Sequence, residues 1–201
     1  MKEKIIEKAS EMFMSLGFKS VTMDDIAAEM GISKKTIYTH FNNKETIIAV
    51  VTDAIFEKVS QDIDCICELD KNPIEETYDI KKRVMEHMRD EKQSPWHQLQ
   101  KYYPVIYQNI KNRQFSFMQE CVVKNLNKGI EQKLFRENID VQFVARIYFN
   151  GVMGIKDNNL FPASMFAGSA LYEMFLEYHL RGIVTPEGRK ILNQLIHSNQ
   201  D

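Results

Sequence analysis

The chain has 201 residues, 44% hydrophobic and 27% charged, with a formal net charge of -2. That composition supplies a packed core and excludes a disordered or globally basic protein, so any grip on a polyanion rests on a local patch. No run is apolar enough to span a bilayer, and the acid-bearing start MKEKIIEKASEMF lacks the apolar stretch of a secretion signal. A soluble cytoplasmic protein without membrane contact is expected. The three cysteines, Cys65, Cys67 and Cys121, have no metal-ligand spacing and read as reduced, mostly buried thiols.

Residues 2–16 predict an amphipathic helix, because Ile5, Ile6, Ala9, Met12, Phe13 and Leu16 recur at three- and four-residue steps. Gly17 closes it. Thr22 opens a second helix over residues 23–30, with Asp25 three residues on as its capping-box partner. Gly31 stops that helix, and Ser33 caps a third over residues 34–40. Ile26, Ala27, Met30, Ile32, Ile37 and Phe41 form the apolar lock between the two. Asn42 and Asn43 break the pattern before a fourth helix from Lys44 through Val59.

Beyond that point the pattern is helix and linker. Helices are expected over residues 74–91, 94–108 with Pro104 bending or shortening it, and 109–128. Residues 129–140 read as helix end, turn and restart. Apolar helices then cover 141–158 and 164–182, and a short one starts after Thr185 and Pro186. No period-two pattern is sustained, so the fold class is all-α. A three-helix head over residues 1–45 leads into a larger helical body over residues 46–201.

Residues 1–50 hold seven lysines, no arginine and seven acids, so the head is net neutral. Position matters more than the total: from Gly31 to Lys44 there are three lysines and no acid. A helix fits the major groove, where hydroxyls and lysines reach base edges while tyrosine and lysine hold phosphates. Ser33, Lys34, Lys35, Thr36 and Thr39 are the candidate base readers. Thr22, Tyr38, His40 and Lys44 are the candidate backbone contacts. A small head without arginine needs two-fold doubling of its phosphate contacts, which implies a homodimer on a palindromic double-stranded operator.

The stretch from Ala9, AxxMFMxxGFxSVTMDDIAxEMGISKKTIYTHFxNKETI, resembles the DNA-binding head of the TetR family of bacterial transcriptional regulators. The resemblance places Thr22, Tyr38, His40 and Lys44 at backbone-contacting positions and Lys34, Lys35, Thr36 and Thr39 at operator-reading ones. Lys35 stands where many members carry a small residue. Residues 129–140 and 175–195 are similar to the family's helix junction and C-terminal end. The resemblance implies a homodimer joined by two C-terminal helices of each subunit, and an effector cavity in the body whose occupation releases the operator. Repression is the commoner outcome it implies, with activation or a protein-binding body as the alternative.

Candidate cavity residues are Met85, Met88, Trp96, Tyr102, Tyr103, Tyr107, Phe115, Phe117, Met118, Cys121, Tyr148 and Phe149. Their character favours a small apolar or aromatic effector over a sugar or a metal. Gly151, Phe166, Ala167, Ala170, Leu171, Phe175 and Tyr178 are the candidate dimer contacts, on helices apolar around more than one face. The five histidines are scattered, no HExxH is present and no nucleophile has an evident partner, so neither catalysis nor a cofactor is expected.

Overall fold

In the computed structural model, which describes residues 1–88 and 95–198, ten α-helices follow one another. They are α1 (Lys2–Leu16), α2 (Met23–Glu29), α3 (Lys34–Tyr38), α4 (Lys44–Cys67), α5 (Pro73–Met88), α6 (Pro95–Tyr102), α7 (Pro104–Glu131), α8 (Val141–Gly154), α9 (Gly168–Ile183) and α10 (Pro186–Ser198). Among the described residues the β structure is one isolated bridge, Phe135 to Val184. None of their helices is long and apolar enough to cross a membrane.

Packing divides the chain into two units. The first comprises residues 1–62 and 86–114, the second residues 63–85 and 115–201, counted to the chain end. Residues beyond 45 thus pack with the head: the first core joins Ile5, Phe13, Phe18, Ile26, Ile37, Phe41 and Ile48 to Leu99 of α6 and Ile110 of α7. Each such fully buried Ile, Leu or Phe contributes roughly 1.5–3 kcal/mol of transfer free energy. Arg113 extends this attachment by pairing with Asp53 and Glu57 on α4 while its guanidinium lies 4.4 Å from the Phe56 ring centre.

Local chemistry sets the helix ends. Gly17, at a φ of 91°, takes a conformation that side chains with a Cβ rarely adopt, and its amide bonds the Phe13 carbonyl. Pro104 shortens the helix expected over residues 94–108, which ends at Tyr102. It is the first residue of α7, where its missing N–H costs no helical bond, so residues 104–108 belong to the following helix.

The second unit is built on Ile74, Tyr78, Leu126, Phe135, Ala145, Leu176, Leu180, Ile183, Val184 and Leu192. Asp140 caps α8 by accepting the Phe143 N–H at 2.9 Å. The α7–α8 turn is tied to the α9–α10 turn: Thr185 donates its N–H to the Leu134 carbonyl at 2.9 Å and its hydroxyl to the Lys133 carbonyl at 2.8 Å. Gly129 lets Phe135 close over α7, since a Cβ there would collide with the ring. Helices α8 and α9 end earlier and begin later than apolar content suggests, because residues 155–167 are taken up by turns around Asp157 and Pro162.

Candidate nucleic-acid interface

The reading helix is held between two caps. The Thr22 hydroxyl accepts the Asp25 N–H at 3.2 Å and donates to the Asp25 carboxylate at 2.8 Å, while that carboxylate also accepts the Thr22 N–H at 2.8 Å. These bonds from Thr22, with the more distant Lys44 charge, hold the Asp25 carboxyl below its ordinary range. Gly31, at a φ of 63°, then turns the chain so that the Ile32 N–H reaches the Ala27 carbonyl at 3.0 Å. Ser33 caps α3 by accepting the Thr36 N–H at 3.1 Å. Ile37 is fully buried, which turns the opposite face of this five-residue helix to solvent.

Ser33, Lys34, Lys35, Tyr38, Thr39 and His40 are exposed and Thr36 is half-buried, so the predicted readers share one accessible surface. Their availability differs. The Ser33 and Thr36 hydroxyls bond each other at 2.9 Å, and the Thr39 hydroxyl donates to the Thr36 carbonyl at 2.6 Å. Lys34 is paired with Asp24 at 2.8 Å, and that hydrogen bond raises its pKa. The side chains of Lys35, Tyr38 and His40 make no hydrogen bond or ion pair among the described residues, which leaves them open to an external partner.

Lys44 is placed differently from the other expected backbone contacts. Its ammonium donates to the Lys19 carbonyl at 3.0 Å, near the rings of Phe13 and Tyr103, and desolvation lowers its pKa. In the free protein it ties the start of α4 to the α1–α2 turn. Two contributors were not legible as such in the sequence: Asp24, which neutralises Lys34 from ten residues away, and Gln98 of α6, whose amide oxygen accepts the Lys19 N–H at 2.9 Å.

The expected effector-site residues do not gather in one place. Trp96, Tyr103 and Tyr107 pack against the core of the first unit, and Tyr102 is 40% exposed there. Met85, Phe115, Phe117, Met118, Cys121, Tyr148 and Phe149 belong to the second unit, where all are half-buried. The Met88 side chain lies outside the described residues. Phe115 and Phe149 meet edge to face at 5.0 Å, whereas Tyr148 lies between Phe175 at 5.7 Å and His179 at 4.8 Å. Burial pushes the His179 pKa down to about 4.

A cavity of about 190 Å³ in the second unit has a polar lining instead: Asp64, Cys67, Glu76, Cys121, Lys124, Asn125 and Lys128. Cys121 is the one expected effector-site residue among them, and burial first, then the neighbouring Cys67, pushes its thiol up to about 12. The thiols are less buried than expected: Cys67 and Cys121, which border this space, are half-buried, and Cys65, outside its lining, is exposed.

Of the expected dimer contacts, Ala167, Ala170 and Tyr178 are exposed, Phe166 is half-buried against Phe161, and Leu171 is buried within its own chain. Gly151 and Phe175 fill each other inside one chain: a Cβ on Gly151 would collide with the Phe175 ring. Three large apolar residues outside the expected dimer contacts are also exposed on α8 and α9, namely Phe143 at 62% exposure, Ile147 at 48% and Met174 at 49%.

A capped pair of short helices presenting a polar rod defines a helix-turn-helix protein. Residues 5–51 match the model of the bacterial regulatory proteins of the tetR family. The match covers the head, which is thus of the tetR-family type. The head is 43% identical over 47 residues to IcaR of Staphylococcus epidermidis, the biofilm operon icaADBC HTH-type negative transcriptional regulator, covering 23% of this chain and 25% of that protein. The chain therefore matches about a quarter of the length of such curated relatives.

Over its full length the likeness is one of fold. A TetR-family transcriptional regulator from Agrobacterium tumefaciens superposes with a TM-score of 0.73 at 17% identity, covering 92% of this chain and 97% of that one. SmeT, the repressor of the Stenotrophomonas maltophilia multidrug efflux pump SmeDEF, superposes in its triclosan complex with a TM-score of 0.66 at 15% identity, covering 92% of each chain.

Proposed function

We propose that the protein is a homodimeric transcriptional repressor that reads a palindromic operator with α3 and lets go when its body takes up a small apolar or aromatic molecule. The observation that carries the DNA reading is the exposed face of α3, where the side chains of Lys35, Tyr38 and His40 make no hydrogen bond or ion pair among the described residues, beside two caps. In this division of labour Lys35 and Thr39 meet base edges, and Tyr38 and His40 hold phosphates.

The homodimer draws support from the open apolar face of the second unit. Ala170, Met174 and Tyr178 lie one turn apart along α9, as Phe143 and Ile147 do along α8, and all five are exposed. Two such faces laid together bury a continuous apolar seam of the kind stable interfaces need. The effector draws on the half-buried aromatics Phe115, Phe117, Tyr148 and Phe149, and on the presence of triclosan in SmeT, a protein of the same fold.

A second reading, in which the body answers to a protein partner or the regulator activates, draws on the cavity. At about 190 Å³ with a polar lining it is smaller than sites for drug-sized ligands, which occupy roughly 300–1,000 Å³.

The test is operator binding by single variants, followed by ligand challenge. Tyr38→Ala is expected to weaken binding to all duplexes alike, whereas Lys35→Ala relaxes sequence preference by roughly 1–3 kcal/mol at the bases it reads. Equal losses on all sequences for both variants contradict the division. Aromatic compounds such as triclosan are expected to raise the melting temperature and release the operator together; stabilisation without release favours the second reading.

A further inference from the structure

The head holds as many acids as lysines in its first 50 residues, so its grip on phosphate needs cations from elsewhere. Residues 95–119 form a stretch of 25 residues without one acid, carrying Lys101, Lys111 and Arg113. Arg113 is neutralised by Asp53 and Glu57. Lys101 is not neutralised: it is exposed and has no carboxylate partner among the described residues.

Helix α6 carries Lys101 to the head and fixes it there. Leu99 is fully buried in the head core, Trp96 lies 6.2 Å from the Phe18 ring, and the Gln98 side chain occupies the space beside Gly17 while accepting the Lys19 N–H. As a result Tyr102 sits under two ammonium groups, Lys19 at 4.2 Å and Lys101 at 5.4 Å from its ring centre. Lys19 is likewise exposed and without a carboxylate partner. The hydrogen bond with Lys19, then the charges of both lysines, lower the Tyr102 hydroxyl's pKa.

We propose that Lys19, Lys101 and Tyr102 form a second phosphate-binding edge for duplex DNA, supplied by the α1–α2 turn and α6 and not by the reading helix. The inference rests on the DNA reading of α3 proposed above. Two ammonium groups and a phenol gathered on one surface, with no carboxylate paired to them among the described residues, make a donor set for a phosphate, and like charges held this close gain from an anion between them. Nothing encloses the cluster, which suits a backbone phosphate of an extended polyanion more than a captured small molecule. The edge is continuous with the other backbone candidates: the Lys19 carbonyl takes the Lys44 ammonium at 3.0 Å, and Thr22 follows three residues later.

The experiment uses the full-length protein and an operator isolated by selection from random duplexes. Affinity is followed by fluorescence anisotropy while potassium chloride rises from about 50 to about 300 mM. Each lost phosphate contact lowers the slope of log affinity against log salt by about 0.9, hence by about 2 for a dimer that loses two. Lys19→Gln and Lys101→Gln are each expected to flatten the slope by that amount while the ranking of base-substituted operators and the melting temperature stay as in the wild type. A wild-type slope in either variant, with Tyr38→Ala still lowering it, overturns the second edge and leaves the reading helix standing. A wild-type protein that binds no duplex overturns both.

Discussion

Lys34 and Lys35 are adjacent in sequence but not equivalent in charge. Lys34 is already paired with Asp24, across the turn, while Lys35 has no ion-pair partner among the described residues. A duplex has to compete with Asp24 for the first and not for the second. An exposed pair of this kind is weak and screened by salt. Asp24→Asn is therefore expected to tighten operator binding by about two- to five-fold at low salt, an effect that titrations show fading as salt rises. Unchanged or weaker binding at low salt would mean that Lys34 meets no DNA. The sequence shows both lysines and the acid-free run but not this pairing, because Asp24 belongs to a different helix and only the Gly31 turn brings it alongside.

At the scale of elements, the head was legible because its signals are local. Thr22 with Asp25, Gly31 and Ser33 each set a helix end within three residues, and the boundaries follow them to within one or two positions. The attachment of α6 to the head is not local. It depends on Gln98 and Leu99 meeting residues some 80 positions away, which periodicity does not encode. Gly151 shows the same limit on α8: its small size reads as room for a partner chain, yet the space belongs to Phe175 of the same chain. Gly151→Ala is expected to destabilise the fold by roughly 1–3 kcal/mol through overpacking, despite the better helix propensity of alanine, and denaturant titration measures the shift.

His179 on α9, tilted against Tyr148 and stacked on Phe175, adds a pH dependence to the same packing. Its folded pKa near 4 lies below the ordinary 6.5, so between those values the unfolded chain binds a proton that the folded chain refuses. Its contribution is thus full above about pH 6.5 and falls as pH drops toward 4, by roughly 3 kcal/mol if the whole shift counts. In His179→Phe the stability measured by thermal melting is expected to fall less steeply over that window; an identical slope contradicts the assignment.

For the whole molecule, the all-helical class and the head's family were both readable, since a helix-turn-helix carries a long and specific pattern. The effector site was not. Aromatics at helical spacing serve cores as readily as cavities, and Trp96, Tyr103 and Tyr107 indeed pack against the head's core, whereas the described cavity in the second unit is lined by polar and thiol groups, among them Cys121, Lys124, Asn125 and Lys128 at helical steps that read in sequence as a solvated face. The exposed apolar face proposed for pairing was partly readable, because Tyr178 and Ala170 repeat along α9, while Phe143 and Ile147 stand in sequence within a helix apolar on more than one face. The regulator reading depends on two copies pairing through that face so that two α3 helices meet one duplex. Light scattering on the purified protein with its selected operator tests this most directly. Two chains per duplex and a palindromic site are expected, both lost in a Phe143→Glu/Tyr178→Glu variant that still folds. A single chain binding a site without two-fold symmetry, or a double variant that pairs and binds as before, would contradict it.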